Sequence, residues 1–146
     1  MPVGTRPVKT TARLLAATAL ILLLSVQAAV AGRFEDELLV LINRYRSAHK
    51  GKALVSTPLY IDLAREHSQA MQEQQSLGHD GFDDRFRRAG DARGCVENVG
   101  WNHETPQSLF NDWKKSPGHN RNMLDRKIRG AGIDKTGPYV TFFACY

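Results

Sequence analysis

Residues 139–146 read Tyr139-Val140-Thr141-Phe142-Phe143-Ala144-Cys145-Tyr146 and decide the fold. Successive side chains of a strand point to opposite faces, and here both alternating sets are mainly apolar. A strand that is apolar on both faces belongs in the middle of its sheet. We therefore predict a central strand over 139–146, joined by a turn at 135–138 to a preceding strand over 128–134.

Helical patterns precede these two strands. Apolar residues recur at helical spacing over 34–45, acidic residues occupy the first turn, and Gly51 ends the segment. Thr57-Pro58 predicts the N-cap and first residue of a second helix, which extends to about Ser76. The apolar residues predicted for its inner face are Leu59, Leu63, Ala70 and Met71.

Two shorter helices are predicted before the strands. The polar, Gly-rich segment 78–94 contains a short helical piece over 82–89. Thr105-Pro106 begins another helix, which carries Trp113 and is closed by Pro117-Gly118. Because helices come first and strands last, the order predicts an α+β layered domain rather than a βαβ array.

The N-terminal residues have the pattern of a signal peptide. Residues 1–13 carry basic and no acidic side chains, and 14–26 form an apolar run. Ala29-Val30-Ala31 then supplies small residues at the spacing that a signal peptidase reads. This order predicts a signal peptide over 1–31, a mature domain over 32–146, and a secreted or periplasmic protein. The alternative is an uncleaved membrane anchor, because the uncharged stretch 14–31 is just long enough for a marginal span.

Composition and charge limit the class of protein. The 146 residues are 42% hydrophobic and 24% charged, which excludes a disordered or fibrous chain and leaves room for one domain. The formal charge is +5, but three of the basic residues lie in the predicted leader. From Arg33 onward 17 Lys and Arg face 15 Asp and Glu. A net charge of +2 does not favour nucleic acid as a partner.

Three short segments place chemically active side chains among glycines or apolar residues. His79 lies between Gly78 and Gly81, Glu97 lies in an apolar run, and His119 follows the predicted helix end. Imidazole and carboxylate groups together hold transition metals or act as an acid–base pair. The spacing 79, 97, 119 is not a local zinc motif, and an isolated histidine is more often a surface or capping residue. Glu97 is more unusual, because a buried carboxylate needs a cation or a metal beside it.

The other histidines and the tryptophans are expected to be structural. His67 is predicted to pack against its helix and to hydrogen-bond to backbone. His103 is predicted to lie in an exposed loop, and Trp101 and Trp113 to lie in the core.

Two cysteines, Cys95 and Cys145, allow a single pairing. Export to an oxidising compartment favours a disulfide, which would tie the Glu97 segment to the final strand. The alternative is a nucleophilic Cys95 with a histidine base, although no recognisable protease signature surrounds it. No G-x-S-x-G is present to support a serine hydrolase.

Taken in order, these motifs resemble the CAP superfamily of cysteine-rich secretory proteins, antigen 5 and plant pathogenesis-related proteins, in its short bacterial form. The resemblance spans residues 34–146. The matching segments are 41–46 (LINRYR), 63–68 (LAREHS), 78–82 (GHDGF) with Arg85, 97–100 (ENVG), Trp113 with 116–124 (SPGHNRNML), 130–133 (GAGI) and 139–142 (YVTF).

The resemblance implies a three-layer α-β-α sandwich with a central cleft. In many CAP proteins two histidines and two glutamates line that cleft and bind zinc or another divalent metal. His79, His119 and Glu97 match three of these ligands, and Ser116 stands where the second glutamate is expected. Two imidazoles and one carboxylate leave an open, water-filled position. The missing anionic ligand predicts that any metal is bound weakly.

The resemblance leaves the activity open, including whether the protein is an enzyme. The first hypothesis is an exported monomeric binding module for a small-molecule, lipid or protein ligand, with no nucleic-acid partner and no stable membrane span after cleavage. The second is a metal-dependent hydrolase that uses the same cleft, with Glu97 or a histidine activating a metal-bound water. The serine at position 116 favours the first.

Overall fold

The structure, a computed structural model, describes Met1 and residues 33–146. The predicted signal peptide therefore lies outside the described residues, apart from Met1. Among the helices of residues 33–146, none combines the length and the apolar character needed to cross a bilayer.

Helices and strands follow one another along residues 33–146 in an α+β order. The elements are α1 (Phe34–Ala48), β1 (Val55–Ser56), α2 (Pro58–Gln74), α3 (Phe82–Arg88), β2 (Cys95–Trp101), α4 (Pro106–Lys115), α5 (Pro117–Leu124), β3 (Gly130–Thr136) and β4 (Tyr139–Cys145).

The four strands form one sheet in the order β1-β3-β4-β2. β3 and β4 are an antiparallel hairpin, and β2 pairs antiparallel with the other side of β4. β4 is therefore internal, and all seven of its residues are buried, as the sequence predicts. β2 lies at one edge of the sheet, while β1 makes a short parallel pairing with β3 at the other.

Helices cover both faces of the sheet, which confirms the predicted three-layer sandwich. On one face α1, α4 and α5 pack against Ile133, Val140 and Phe142. On the other face α2 packs with the end of α3 against Phe143 and Cys145. The neighbouring residues Phe142 and Phe143 thus face different layers, and both are fully buried.

α2 lies unusually close to the sheet at Gly132. A Cβ atom on Gly132 would lie 2.0 Å from the carbonyl carbon of Tyr60. Only a residue without a side chain allows this approach. The contact fixes the height of α2 above the sheet and thereby the position of the residues that it contributes to the site.

Cys95 and Cys145 are opposite each other on β2 and β4 and form a disulfide, as predicted. The nucleophile hypothesis for Cys95 is therefore wrong, because both sulfur atoms are in the disulfide. The cross-link ties the start of edge strand β2, two residues before Glu97, to the central strand.

The helix that begins at Thr105-Pro106 ends at Lys115, just before Pro117-Gly118, as predicted. Pro117 also begins a further helix, α5, because proline suits the first position of a helix. Two local predictions are wrong. Trp101, at the end of edge strand β2, is 53% exposed, and Leu59 in the first turn of α2 is 43% exposed. Periodicity identifies an apolar face, but it does not show how far the neighbouring layer extends over that face.

Candidate functional site

Glu97 is a buried carboxylate on edge strand β2, with a side chain that is 1% exposed. Arg85 of α3 is also buried, and its Nε and Nη2 donate to the two Glu97 oxygens at 2.8 Å each. Nη1 of Arg85 donates to the Asp80 carbonyl at 2.8 Å. Paired N–H···O bonds of this kind are strong and geometrically specific. Arg85 is therefore the cation that the burial of Glu97 requires.

A tight turn between α2 and α3 brings His79 to Glu97. Gly81 is the N-cap of α3 and has φ of +72°, in the left-handed region that favours glycine. Arg85 follows one turn later, and its hydrogen bond to Asp80 ties the helix back to the turn. Gly81, two residues after His79, thus sets the start of the helix that carries Arg85.

His79 contacts Glu97 and also reaches solvent. Its Nδ1 lies 2.9 Å from Glu97 Oε1, and its side chain is 52% exposed. Because a carboxylate only accepts hydrogen bonds, Nδ1 carries the proton. In the neutral ring this leaves a lone pair on Nε2, which has no hydrogen-bond partner within residues 33–146. Metal-binding histidines are commonly oriented in this way by a carboxylate.

His67 is a further member of this cluster that the sequence did not reveal. It is 4% exposed, and its Nε2 lies 2.9 Å from the Gly78 carbonyl and 3.6 Å from Glu97 Oε1. Burial lowers the pKa of His67, with Glu97 opposing this effect. The neutral ring therefore donates to Gly78 and supports the loop that carries His79. The predicted packing and backbone hydrogen bond are both present.

His119 is held from the opposite face of β2. Asn98, the next residue after Glu97, donates from Nδ2 to the His119 carbonyl at 3.0 Å. Asn122 donates to Asn98 Oδ1 at 2.9 Å and to the Glu97 carbonyl at 3.0 Å. The ring of His119 lies 6.1 Å from that of Trp113. Two consecutive residues of β2 thus orient His79 and anchor the backbone of His119.

The surroundings of His119 differ from the sequence-based expectation. It lies in the first turn of α5 and not beyond a helix end, so the helix dipole does not favour its protonation. Burial lowers the pKa of His119, and repulsion from His79 lowers it further. A neutral imidazole is the form that binds a metal.

The carboxylate oxygens of Glu97 are already engaged by Arg85 and His79. Within residues 33–146, no group of three or more His, Cys, Asp or Glu side chains is arranged to hold a metal ion. Ser116, the residue at the expected second glutamate position, joins α4 to α5. Among the predicted ligands, this leaves the imidazoles of His79 and His119 without a carboxylate that is free to join them, and Glu97 orients the ring of His79.

Comparison with known proteins agrees with this architecture. A model of the cysteine-rich secretory protein family, CAP, matches residues 39–145. The chain belongs to the CAP family. Comparison with curated proteins finds no match.

Solved structures share the CAP fold at low sequence identity. An extracellular SCP-domain protein from Bacillus anthracis is 24% identical, with a TM-score of 0.72 over 76% of this chain and 39% of that one. A cysteine-rich secretory protein from Staphylococcus aureus is 16% identical, with a TM-score of 0.68 over 97% and 41% of the two chains. An outer surface protein from Borrelia burgdorferi is 17% identical, with a TM-score of 0.69 over 75% and 90%. This chain spans about two fifths of the first two structures.

Proposed function

We propose that this CAP domain is exported and acts as a binding module through the His79–His119 site. Export is supported by the basic, apolar and small-residue order of residues 1–31. It is also supported by the extracellular protein of B. anthracis and the outer surface protein of B. burgdorferi that share the fold. Intact-mass analysis of the exported protein should give a chain that starts near Gly32. Recovery of full-length, membrane-bound chain alone would contradict export.

Within this proposal, His79 and His119 hold zinc or another divalent metal weakly. The observation that carries it is the 2.9 Å contact between His79 Nδ1 and Glu97 Oε1, which directs the free Nε2 lone pair away from the buried carboxylate. A bound ion would offer its remaining positions to oxygen atoms of a ligand. Two neutral imidazoles without a carboxylate ligand give modest affinity, so occupancy depends on the metal supply.

Binding is better supported than hydrolysis. A general base must reach the proton that it removes, directly or through one water. Glu97 is 1% exposed and accepts hydrogen bonds from Arg85 and His79, so it is not available to a substrate water. A hydrolase would therefore depend on His79 or His119 alone.

Zinc calorimetry on protein purified without a His tag tests the metal site. Affinity should rise between about pH 5.5 and 7.5, because the ligands must lose protons. His79→Ala and His119→Ala should each reduce it strongly, while the control His103→Ala should not. Ser116→Glu should tighten binding by adding an anionic ligand. Equal affinity in the wild type and in both cleft-histidine variants would refute the metal site.

A further inference from the structure

A second concave surface lies at the N-terminal end of α2, which we call the basic groove. It has a volume of about 760 Å³, and its walls include Val55, Tyr60, Arg93, Lys127, Arg129 and Tyr146. It shares no lining residue with the His79–Glu97 cluster. Tyr60 and His67 are seven residues apart on α2, which places the two sites roughly 10 Å apart along the helix axis.

The basic groove carries three cations and no acidic side chain. Arg93, Lys127 and Arg129 are all exposed, and none forms a salt bridge within residues 33–146. The nearby carboxylate of Asp125 accepts the backbone N–H of Lys127 at 2.8 Å. Such a surface attracts anions.

Contacts within the domain hold two of these cations, Arg129 and Lys127. Nη1 of Arg129 donates to the carbonyls of three preceding residues, 126–128, while its Nε and Nη2 have no hydrogen bond within residues 33–146. The Lys127 ammonium lies 5.4 Å from the ring centre of Tyr146. The backbone of Tyr146 is paired in turn with Arg93 and Gly94. Arg129 and Lys127 are therefore partly positioned before any ligand arrives, which lowers the entropic cost of binding.

Apart from Thr57, the other side chains of the wall are apolar or aromatic. Val55 is 70% exposed, and the rings of Tyr60 and Tyr146 also line the basic groove. Exposed apolar side chains beside unpaired cations suit a ligand that combines an anionic head with an apolar or ring-shaped body. A guanidinium presents a fork of donors that matches the oxygens of a phosphate or sulfate group.

We propose that the basic groove binds a phosphate or sulfate ester that carries an apolar or aromatic group. Its anionic head contacts Arg93, Lys127 and Arg129, and its body lies against Val55, Tyr60 and Tyr146. A free ester and the headgroup of an anionic lipid share this chemistry. The site is independent of metal binding at His79 and His119.

Titration of phenyl phosphate into the protein tests the proposal, with chelator present so that the histidine site does not contribute. The double variant Arg93→Gln/Lys127→Gln removes two cations and leaves the clamped Arg129 in place. Each exposed charge contact contributes a few-fold, so the variant should bind about tenfold more weakly. The matched control Arg44→Gln/Lys52→Gln removes one arginine and one lysine outside the groove and should bind as the wild type does.

Two further probes separate the parts of the ligand. Inorganic phosphate should bind more weakly than phenyl phosphate, because it leaves the aromatic wall uncovered, and phenol should bind more weakly because it lacks the charge. Binding should also weaken as salt rises to about 0.5 M. Equal phenyl phosphate affinity in the groove variant and the control variant would overturn the proposal. The proposal would also be overturned if the wild type bound neither phenyl phosphate nor vesicles.

Vesicle co-sedimentation identifies the source of the anion. Wild type and the two double variants are compared on phosphatidylcholine vesicles with and without phosphatidylglycerol. Association that requires both phosphatidylglycerol and the groove cations assigns the site to lipid headgroups. Phenyl phosphate binding without vesicle association assigns it to free esters. Vesicle association that the groove variant retains in full would count against the groove.

Discussion

Replacing Arg85 by methionine tests whether the buried ion pair holds the candidate site together. Methionine keeps a long unbranched side chain and removes the guanidinium. The variant loses both 2.8 Å bonds to Glu97 and the bond to the Asp80 carbonyl. Glu97 then stays buried with His79 as its closest partner and without a permanent cation.

The expected loss of stability is large. Removing one partner of a buried ion pair costs about 3–5 kcal/mol, because the other charge is left uncompensated. A domain of this size unfolds with about 5–15 kcal/mol in total. The variant should therefore lose a substantial part of its stability, equivalent to a fall in Tm of roughly 10–20 °C.

Urea unfolding followed by tryptophan fluorescence measures this loss. Trp113 is a suitable reporter, because it is buried and donates to the Val99 carbonyl on β2. The control is Arg87→Met, an exposed arginine on the same helix, which should change the free energy of unfolding by less than about 0.5 kcal/mol. The double variant Arg85→Met/Glu97→Leu should recover much of the loss, because it removes both charges.

The reasoning is refuted if the free energies of unfolding of Arg85→Met and Arg87→Met differ by less than about 1 kcal/mol at pH 7. It is also refuted if the double variant is as unstable as Arg85→Met alone. Either result would mean that the Arg85–Glu97 contact does not control the stability of the site.

Three further predictions concern the support of the site. Reducing the Cys95–Cys145 disulfide should lower the free energy of unfolding by about 4 kcal/mol, because the cross-link restricts the unfolded chain. Urea unfolding with and without reductant measures the loss, and a loss below about 1 kcal/mol would contradict the prediction. Gly132→Ala should lower the free energy of unfolding by about 3 kcal/mol or more, because the added Cβ would meet the backbone of α2. In the control Gly118→Ala the added Cβ has no atom within 4 Å, so this change should be neutral or stabilising. Similar Tm values for the two variants would contradict the close packing at Gly132. Burial lowers the pKa of His67 in the folded state, so acid favours the unfolded chain, in which this histidine takes up a proton more readily. The contribution of the neutral His67 ring to stability is therefore complete above about pH 6.5 and is lost as the pH falls towards the pKa of the folded state. His67→Gln should flatten the pH profile of the free energy of unfolding in that range.

The sequence predicts those parts of the fold that leave a periodic pattern. The α1 and α2 boundaries fall within a few residues of the prediction, because apolar spacing and a Thr-Pro start mark them. β4 is recognisable because both of its faces are apolar. The sequence does not predict β2 as a strand, because Glu97 and Asn98 place polar groups on both of its faces. Those polar groups are buried through contacts with α3 and α5, which periodicity does not reveal.

The same limit applies to the candidate site. The sequence shows that Glu97 needs a cation or a metal, but it does not choose between them. Arg85 is 12 residues away, on a helix whose start depends on the left-handed turn at Gly81. His67 is 30 residues before Glu97 and reaches it only because α2 packs across the sheet. Such pairings follow from the tertiary arrangement and not from local spacing.

The pairing with Arg85 changes the argument for a metal. A metal was one of two ways to keep a buried Glu97 ionised, and Arg85 meets that need with two short bonds. The ionisation of Glu97 therefore does not require a metal, and the metal binding that we propose rests on the imidazoles of His79 and His119. Two properties that a four-ligand metal site would combine are therefore separate here. Removing Arg85 should lower the free energy of unfolding by about 3–5 kcal/mol, whereas removing either histidine should weaken metal binding and change the stability little. A single set of variants, measured for unfolding and for zinc binding, distinguishes an ion-paired scaffold carrying two histidines from a site built around a metal.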